Sequence, residues 1–223
     1  MKDYSLSRAF GNNNRIAAEN IQDPGPQKKV GHVSLGYSKM ESWRSYSTSS
    51  YTAAVNNTSI SQNMTTDRWG YFYEGYNYYY IHTYNFLWFD TGSILTQYGI
   101  TSSDIISVGL RLENGIDIGS IPTGDTVTFK ACVDSSSRAL TQTVLSSGNY
   151  ADQSKQAIFS YQRQSGDSNT LYTIAYKPAL GFKDTFNWTG TTILALWATI
   201  SDPNNGYIWG NLYEGSLDIY FKY

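Results

Sequence analysis

Cysteine is almost missing from this 223-residue chain, where Cys132 stands alone. A single thiol excludes an internal disulfide framework and any cysteine-rich metal centre. Histidine is as scarce, with only His32 and His82, which leaves little for a zinc site or a Ser-His-Asp triad. Charge is low too: Asp, Glu, Lys and Arg make up 15% of the residues, against a usual ~25%. The signs nearly cancel, 16 basic against 18 acidic, for a formal net charge of -2. Nucleic-acid binders carry clustered basic charge, so nucleic acid is not expected as a partner. No apolar run approaches the ~18 residues of a membrane span. The opening Met1-Lys2-Asp3-Tyr4-Ser5-Leu6-Ser7-Arg8 also lacks the apolar core of a signal peptide. Synthesis in a cytoplasm, with no membrane partner, is the expectation. The sequons at Asn57, Asn63 and Asn187 then read as chance occurrences in a chain rich in Asn, Ser and Thr.

What the chain does have is uncharged polarity and rings. Its mean hydropathy of -0.41 is hydrophilic, and that polarity comes from Ser, Thr, Asn, Gly and 20 tyrosines. Aromatics reach 16%, enough to fill a sizeable core, so disorder of the whole chain is not expected.

Residues 1–30 differ from the rest. Gly11-Asn12-Asn13-Asn14 and Asp23-Pro24-Gly25-Pro26 are breakers around a short helix-compatible piece, Arg15 to Ile21. With so few apolar residues the segment reads as an extended N-terminal arm, packed along its own domain or held by a neighbouring subunit. Residues 31–223 read as a single domain dominated by strand signals. Val108, Leu110 and Leu112 alternate with polar neighbours, as do Val127, Phe129, Ala131 and Val133. The same period of two runs through Leu194, Leu196, Ala198 and Ile200, and through Leu217, Ile219, Phe221 and Tyr223. Further strands are expected at Tyr51–Val55, Tyr78–Phe89, Ala157–Arg163 and Leu171–Lys177. Turns are expected at Asn114-Gly115, Pro122-Thr123-Gly124, Ser165-Gly166-Asp167 and Asp202-Pro203-Asn204-Asn205-Gly206. Helical pieces are confined to Ser93–Tyr98 and Ala151–Gln156. Many strands with hardly a helix must pack sheet on sheet, so the expected fold is all-β: a two-sheet, jelly-roll-like β-sandwich behind the arm.

Phe86-Leu87-Trp88-Phe89-Asp90, then Ile100-Thr101-Ser102, then Ile105-Ile106-Ser107-Val108-Gly109-Leu110-Arg111-Leu112 follow one another across a short spacer. This series resembles the DNRLRE-type jelly-roll domains of phage and bacterial surface structural proteins. The closing Leu217-Asp218-Ile219-Tyr220-Phe221 is similar to that family's terminal strand. The resemblance spans about a third of the chain and implies a non-catalytic sandwich; it assigns no binding residue.

Trp88-Phe89-Asp90-Thr91-Gly92-Ser93 looks like an aspartic-protease loop, but that chemistry needs two carboxylates sharing a proton. The second candidate, Asp134-Ser135-Ser136, lacks the glycine. Asp90 is therefore expected to cap the following turn or helix, and no enzyme activity is expected. Asp202–Gly206 and Glu113–Asp117 are better read as turns than as calcium loops, so no metal and no cofactor is assigned. His32 and His82 are expected as polar strand residues, and Cys132 as a small buried thiol.

The densest aromatic cluster supplies the candidate site. Trp69, Tyr71, Tyr73, Tyr76, Tyr78 and Tyr80 combine flat apolar faces with hydroxyls, which suits subunit interfaces and also stacking on sugar rings. The expected function is a bacteriophage virion structural protein, a capsid decoration or head-fibre, collar or tail component, located in the virion. It would assemble through its arm and its aromatic surface with other virion proteins and copies of itself, a trimer by fold analogy. The alternative is a carbohydrate- or receptor-binding module for host attachment that recognises surface glycans.

Overall fold

The computed structural model describes residues 28–55, 60–62, 67–113, 115–134, 156–210 and 215–223. The chain is mostly β, arranged as two antiparallel sheets, the all-β sandwich expected from its alternation. In chain order the strands are β1 (Val30–Gly36), β2 (Lys39–Ser47), β3 (Ile60–Gln62), β4 (Asp67–Glu74), β5 (Asn77–Phe89), β6 (Ile105–Leu112), β7 (Ile116–Asp117), β8 (Thr126–Asp134), β9 (Ala157–Gln162), β10 (Thr170–Leu171), β11 (Ile174–Pro178), β12 (Thr192–Ile200), β13 (Tyr207–Gly210) and β14 (Gly215–Lys222). Among the described residues two short α-helices interrupt them, α1 (Tyr51–Val55) and α2 (Thr91–Tyr98).

One sheet runs β1-β14-β6-β11, and the other β9-β8-β12-β5-β2-β3 with a wing β4-β13-β7-β10. One of the two curls into a half-barrel. β11 forms a corner between them, pairing Ile174–Tyr176 with β6 and Lys177–Pro178 with β9. The alternating runs meet where period two places them. Val108, Leu110, Leu112, Leu217, Ile219 and Phe221 from one sheet share a single buried cluster with Leu87, Phe89, Phe129, Leu194 and Leu196 from the other. Each such side chain removed from water is worth about 1.5–3 kcal/mol, so this face-to-face burial is the main term holding the layers together.

β5 organises everything that concerns function. Of its 13 residues, Tyr80–Trp88 pair with β2 along one edge, while the opposite edge is shared: Asn77–Ile81 pairs with β4 and Asn85–Phe89 with β12. The second half is buried on both faces, because Tyr84 and Phe86 join a smaller outer cluster with Cys132, Ala195 and Trp197. A strand covered on both sides reads as a near-continuous apolar run, as Phe86-Leu87-Trp88-Phe89 does.

Three expectations need correction. Tyr51–Val55 is helix, not strand. Ser47 Oγ accepts from Ser49 N (3.1 Å), and Ser50 Oγ accepts from Ala53 N (3.1 Å), so the serine run turns and caps the chain into a helix start. Leu171–Lys177 is divided, with Thr170–Leu171 pairing β7 in the wing and Ile174–Pro178 forming the corner. The sandwich also begins earlier than residue 31. Lys29 exchanges both backbone hydrogen bonds with Tyr223 (3.0 Å each), and β1 pairs with β14 from Val30 onward. The remainder of the arm, the piece Arg15 to Ile21 and Ala151–Gln156 up to residue 155 lie outside the described residues.

Candidate functional site

β4 and β5 form a hairpin whose last pair is Glu74 with Asn77, leaving Gly75-Tyr76 as a two-residue turn. Gly75 has φ +66, a left-handed conformation that glycine adopts without a Cβ penalty and that tight hairpin turns need. The ladder with β2 ends at Ser47–Tyr80, and that with β13 ends at Tyr207–Gly70. Beyond those points Phe72–Tyr79, Tyr73–Tyr78 and Glu74–Asn77 pair only with each other among the described residues. The hairpin tip is therefore a two-stranded ribbon carried on a firm base.

Register decides which rings share a face. Tyr71 lies opposite Tyr80 and Tyr73 opposite Tyr78, so these four tyrosines line one side. Tyr71 and Tyr78 stack with centroids 5.0 Å apart at 15°, Tyr71 and Tyr80 approach to 4.7 Å, and Tyr73 and Tyr78 to 4.8 Å. Mutual stacking holds the rings in one arrangement, yet they remain open: Tyr73 is 59% exposed, Tyr78 55% and the turn residue Tyr76 94%. Five of the six expected site residues are thus brought together.

Trp69 is the exception and is corrected here. It is fully buried, and its indole N–H donates to the Thr83 carbonyl at 2.8 Å. The reason lies at Gly70, where φ is +109 and an added Cβ would stand 2.4 Å from the Gly206 carbonyl oxygen. The strand turns there against the β13 approach, so residues before Gly70 belong to the core and residues after it to the ribbon.

The other ribbon face carries Phe72 and Tyr79. Phe72 packs on Tyr207 at 4.3 Å with the Arg68 guanidinium 5.4 Å above its ring. Tyr79 meets Tyr46 edge-on at 6.0 Å and 82°. Between these two rings, Ser47, Thr48 and Ala53 opens a shallow cleft of about 460 Å³. Two signals for it are the odd position of Tyr79 among the even-numbered Tyr76, Tyr78, Tyr80 and Tyr84, and the hydroxyl run Ser47-Thr48-Ser49-Ser50.

The other candidates fall into structural roles. Asp90 Oδ1 accepts from Ser93 N (3.4 Å) and caps α2, while Ser93 Oγ donates to the Asp90 carbonyl (2.8 Å). Thr91 is buried with its hydroxyl on the Asn187 and Gly190 carbonyls at 2.7 and 3.0 Å. Asp202 Oδ1 accepts from Asn204 N (3.1 Å) and Asp117 Oδ1 from Gly119 N (2.7 Å), both turn bonds. Among the described residues no group of three or more His, Cys, Asp or Glu side chains is placed to hold a metal ion. His32 sits on β1, 4.6 Å from the Tyr220 ring and 3.3 Å from Asp218. His82 is buried instead, its Nδ1 2.8 Å from the Tyr51 hydroxyl, and burial lowers its pKa to about 3. Burial also pushes the Cys132 thiol up to about 12, with Asp134 adding to the rise. A thiol so placed is neutral and unreactive.

No protein-family model matches the chain, and no curated protein matches it.

Proposed function

We propose that this chain is a non-catalytic assembly subunit that binds neighbouring macromolecules through the tyrosine ribbon at the β4–β5 tip. Carrying the reading is one observation: Tyr73, Tyr76 and Tyr78 are more than half exposed on a ribbon paired only with itself. An isolated two-stranded ribbon is marginal in water, and exposed stacked rings gain most when a partner covers them. Tyrosine is also among the residues enriched at protein interfaces. The setting expected from the strand motifs is a bacteriophage particle, in which copies of the subunit repeat by symmetry. Repetition multiplies a weak contact into a stable one.

Sedimentation of the full chain over a range of concentrations tests this. Self-association is expected in the wild type and dissociation toward monomer in the double variant Tyr73→Ser, Tyr78→Ser, with an unchanged unfolding midpoint because both rings are open to solvent. A wild type that stays monomeric throughout would remove self-assembly from the proposal.

A further inference from the structure

The cleft between Tyr46 and Tyr79 has a chemistry distinct from that of the ribbon face, and it stands whether or not the ribbon carries assembly. Its two rings meet at 82°, so one flat face and one edge bound the same opening. The exposed Thr48 places a hydroxyl at the rim, Ser47 Oγ being engaged there by Ser49 N and Ser49 Oγ (3.1 and 3.0 Å), and Ala53 on α1 leaves the floor open where a larger side chain would fill it. The Tyr79 hydroxyl has no hydrogen-bond partner among the described residues, whereas the Tyr46 hydroxyl accepts from the Arg44 guanidinium at 3.3 Å. That contact fixes the Tyr46 ring. Arg44 itself is 5% exposed, so its charge is spent behind the ring and does not face a ligand.

Two ligand classes fit poorly. An anionic ligand needs a cation or a set of N–H donors at the mouth, and among the described residues no Lys, Arg or His lines this cleft. A purely apolar ligand would strip water from the Thr48 and Tyr79 hydroxyls without replacing their hydrogen bonds. A neutral pyranose answers both surfaces. The C–H face of the sugar covers a ring, and its hydroxyls exchange hydrogen bonds with Thr48 and Tyr79. The volume of about 460 Å³ lies in the ordinary range for small-ligand sites, ~300–1,000 Å³.

We infer that the Tyr46–Tyr79 cleft is a binding site for a neutral saccharide. The test uses the full chain with maltotriose, cellotriose and tri-N-acetylchitotriose as probes, read by ligand-observed NMR saturation transfer and titration. At least one probe is expected to bind with its ring protons saturated. Tyr79→Ala should weaken that binding about tenfold, the loss of one stacked ring. Ala53→Trp, which fills the cleft and removes no core contact, should abolish it while the unfolding midpoint stays in place. The ribbon variant Tyr73→Ser, Tyr78→Ser should bind as wild type does. Failure of all three probes to bind, or binding that survives Ala53→Trp, overturns the site. Binding lost in the ribbon variant and kept in Ala53→Trp would move the sugar to the other face and equally overturn it. Sedimentation of the same variants reads assembly separately, so the two proposals fail independently.

Discussion

At the scale of single residues, His82 shows how burial replaces chemistry with stability. Its ring is sealed beneath α1 with Nδ1 on the Tyr51 hydroxyl, which also lies 3.3 Å from the Ala198 carbonyl. The imidazole is neutral, and the Tyr51 hydroxyl bridges its Nδ1 and the Ala198 carbonyl. Desolvation lowers the His82 pKa from 6.5 to about 3. Between those values the unfolded chain binds a proton that the folded chain refuses, so stability rises with pH across the window and is lost as pH falls from 6.5 toward 3. The slope approaches ~1.4 kcal/mol per pH unit for one such group. Urea unfolding at pH 7 and pH 4.5 should show this loss in the wild type. His82→Gln, which does not titrate, should be less stable at pH 7 and should show a shallower pH dependence by one proton. Equal slopes would mean that the ring is protonated in the folded protein. Nothing about the position forecasts this from sequence, since Tyr78, four residues earlier on the same strand, is 55% exposed.

Asp90 gives a second residue-scale prediction. Its carboxylate serves a helix N-terminus, where a side-chain oxygen satisfies an otherwise unpaired N–H. Asp90→Asn keeps an acceptor and should leave the unfolding free energy within a few tenths of a kcal/mol, whereas Asp90→Ala should cost about 1 kcal/mol. This role was legible beforehand, because Asp-Thr-Gly-Ser ahead of Ile94-Leu95 reads as a cap whichever other motif it resembles.

Among the elements, legibility followed one-sided burial. β6 and β14 bury one face alone, so period two is plain in their sequences; β8 and β12 keep it toward the main core although Cys132, Ala195 and Trp197 also fill the outer cluster. β2 was not legible, because its buried positions include Ser42, Arg44 and Ser45, and polar residues at interior positions erase the alternation. Ser42 Oγ donates to Asp67 Oδ1 at 3.2 Å, and Thr83 Oγ1 bonds the Arg68 backbone, so this stretch of β2, β4 and β5 is joined by polar contacts that no hydropathy pattern records. Helix α1 was hidden by its Tyr and Val, which favour strands, while the capping serines upstream decided the outcome. Packing between elements also turns on glycine at one point. Gly92 at the start of α2 donates to the Gly190 carbonyl (2.8 Å), and a Cβ there would stand 2.7 Å from Gly190 N and 2.9 Å from Thr189 C. Both obstacles are backbone, so Gly92→Ala must displace α2 or the turn. A loss of about 1–3 kcal/mol in chemical denaturation is expected, the usual cost of overpacking. A neutral result would show that the turn at Thr189–Gly190 yields freely.

For the whole molecule, the ribbon and the leading strand are separable devices, and truncation distinguishes them. Among the described residues β1 pairs only with β14, through seven consecutive partners from Val30–Lys222 to Gly36–Ser216, and Val33 and Leu35 pack on the main core. Removing it exposes the β14 edge together with the apolar surface those side chains cover, which is the condition for edge-to-edge aggregation. A chain of residues 37–223 is therefore expected to aggregate. A chain of residues 28–223 keeps β1, the Lys29–Tyr223 pair and the Lys28–Asp104 ion pair, so it should fold with the wild-type unfolding midpoint. Light scattering then reads what the first 27 residues add. If the arm interlocks subunits, as its composition suggests, 28–223 gives a smaller species than the full chain while its ribbon is intact. An unchanged particle size would assign assembly to the tyrosines alone, and the double variant Tyr73→Ser, Tyr78→Ser placed on the 28–223 background would then be monomeric.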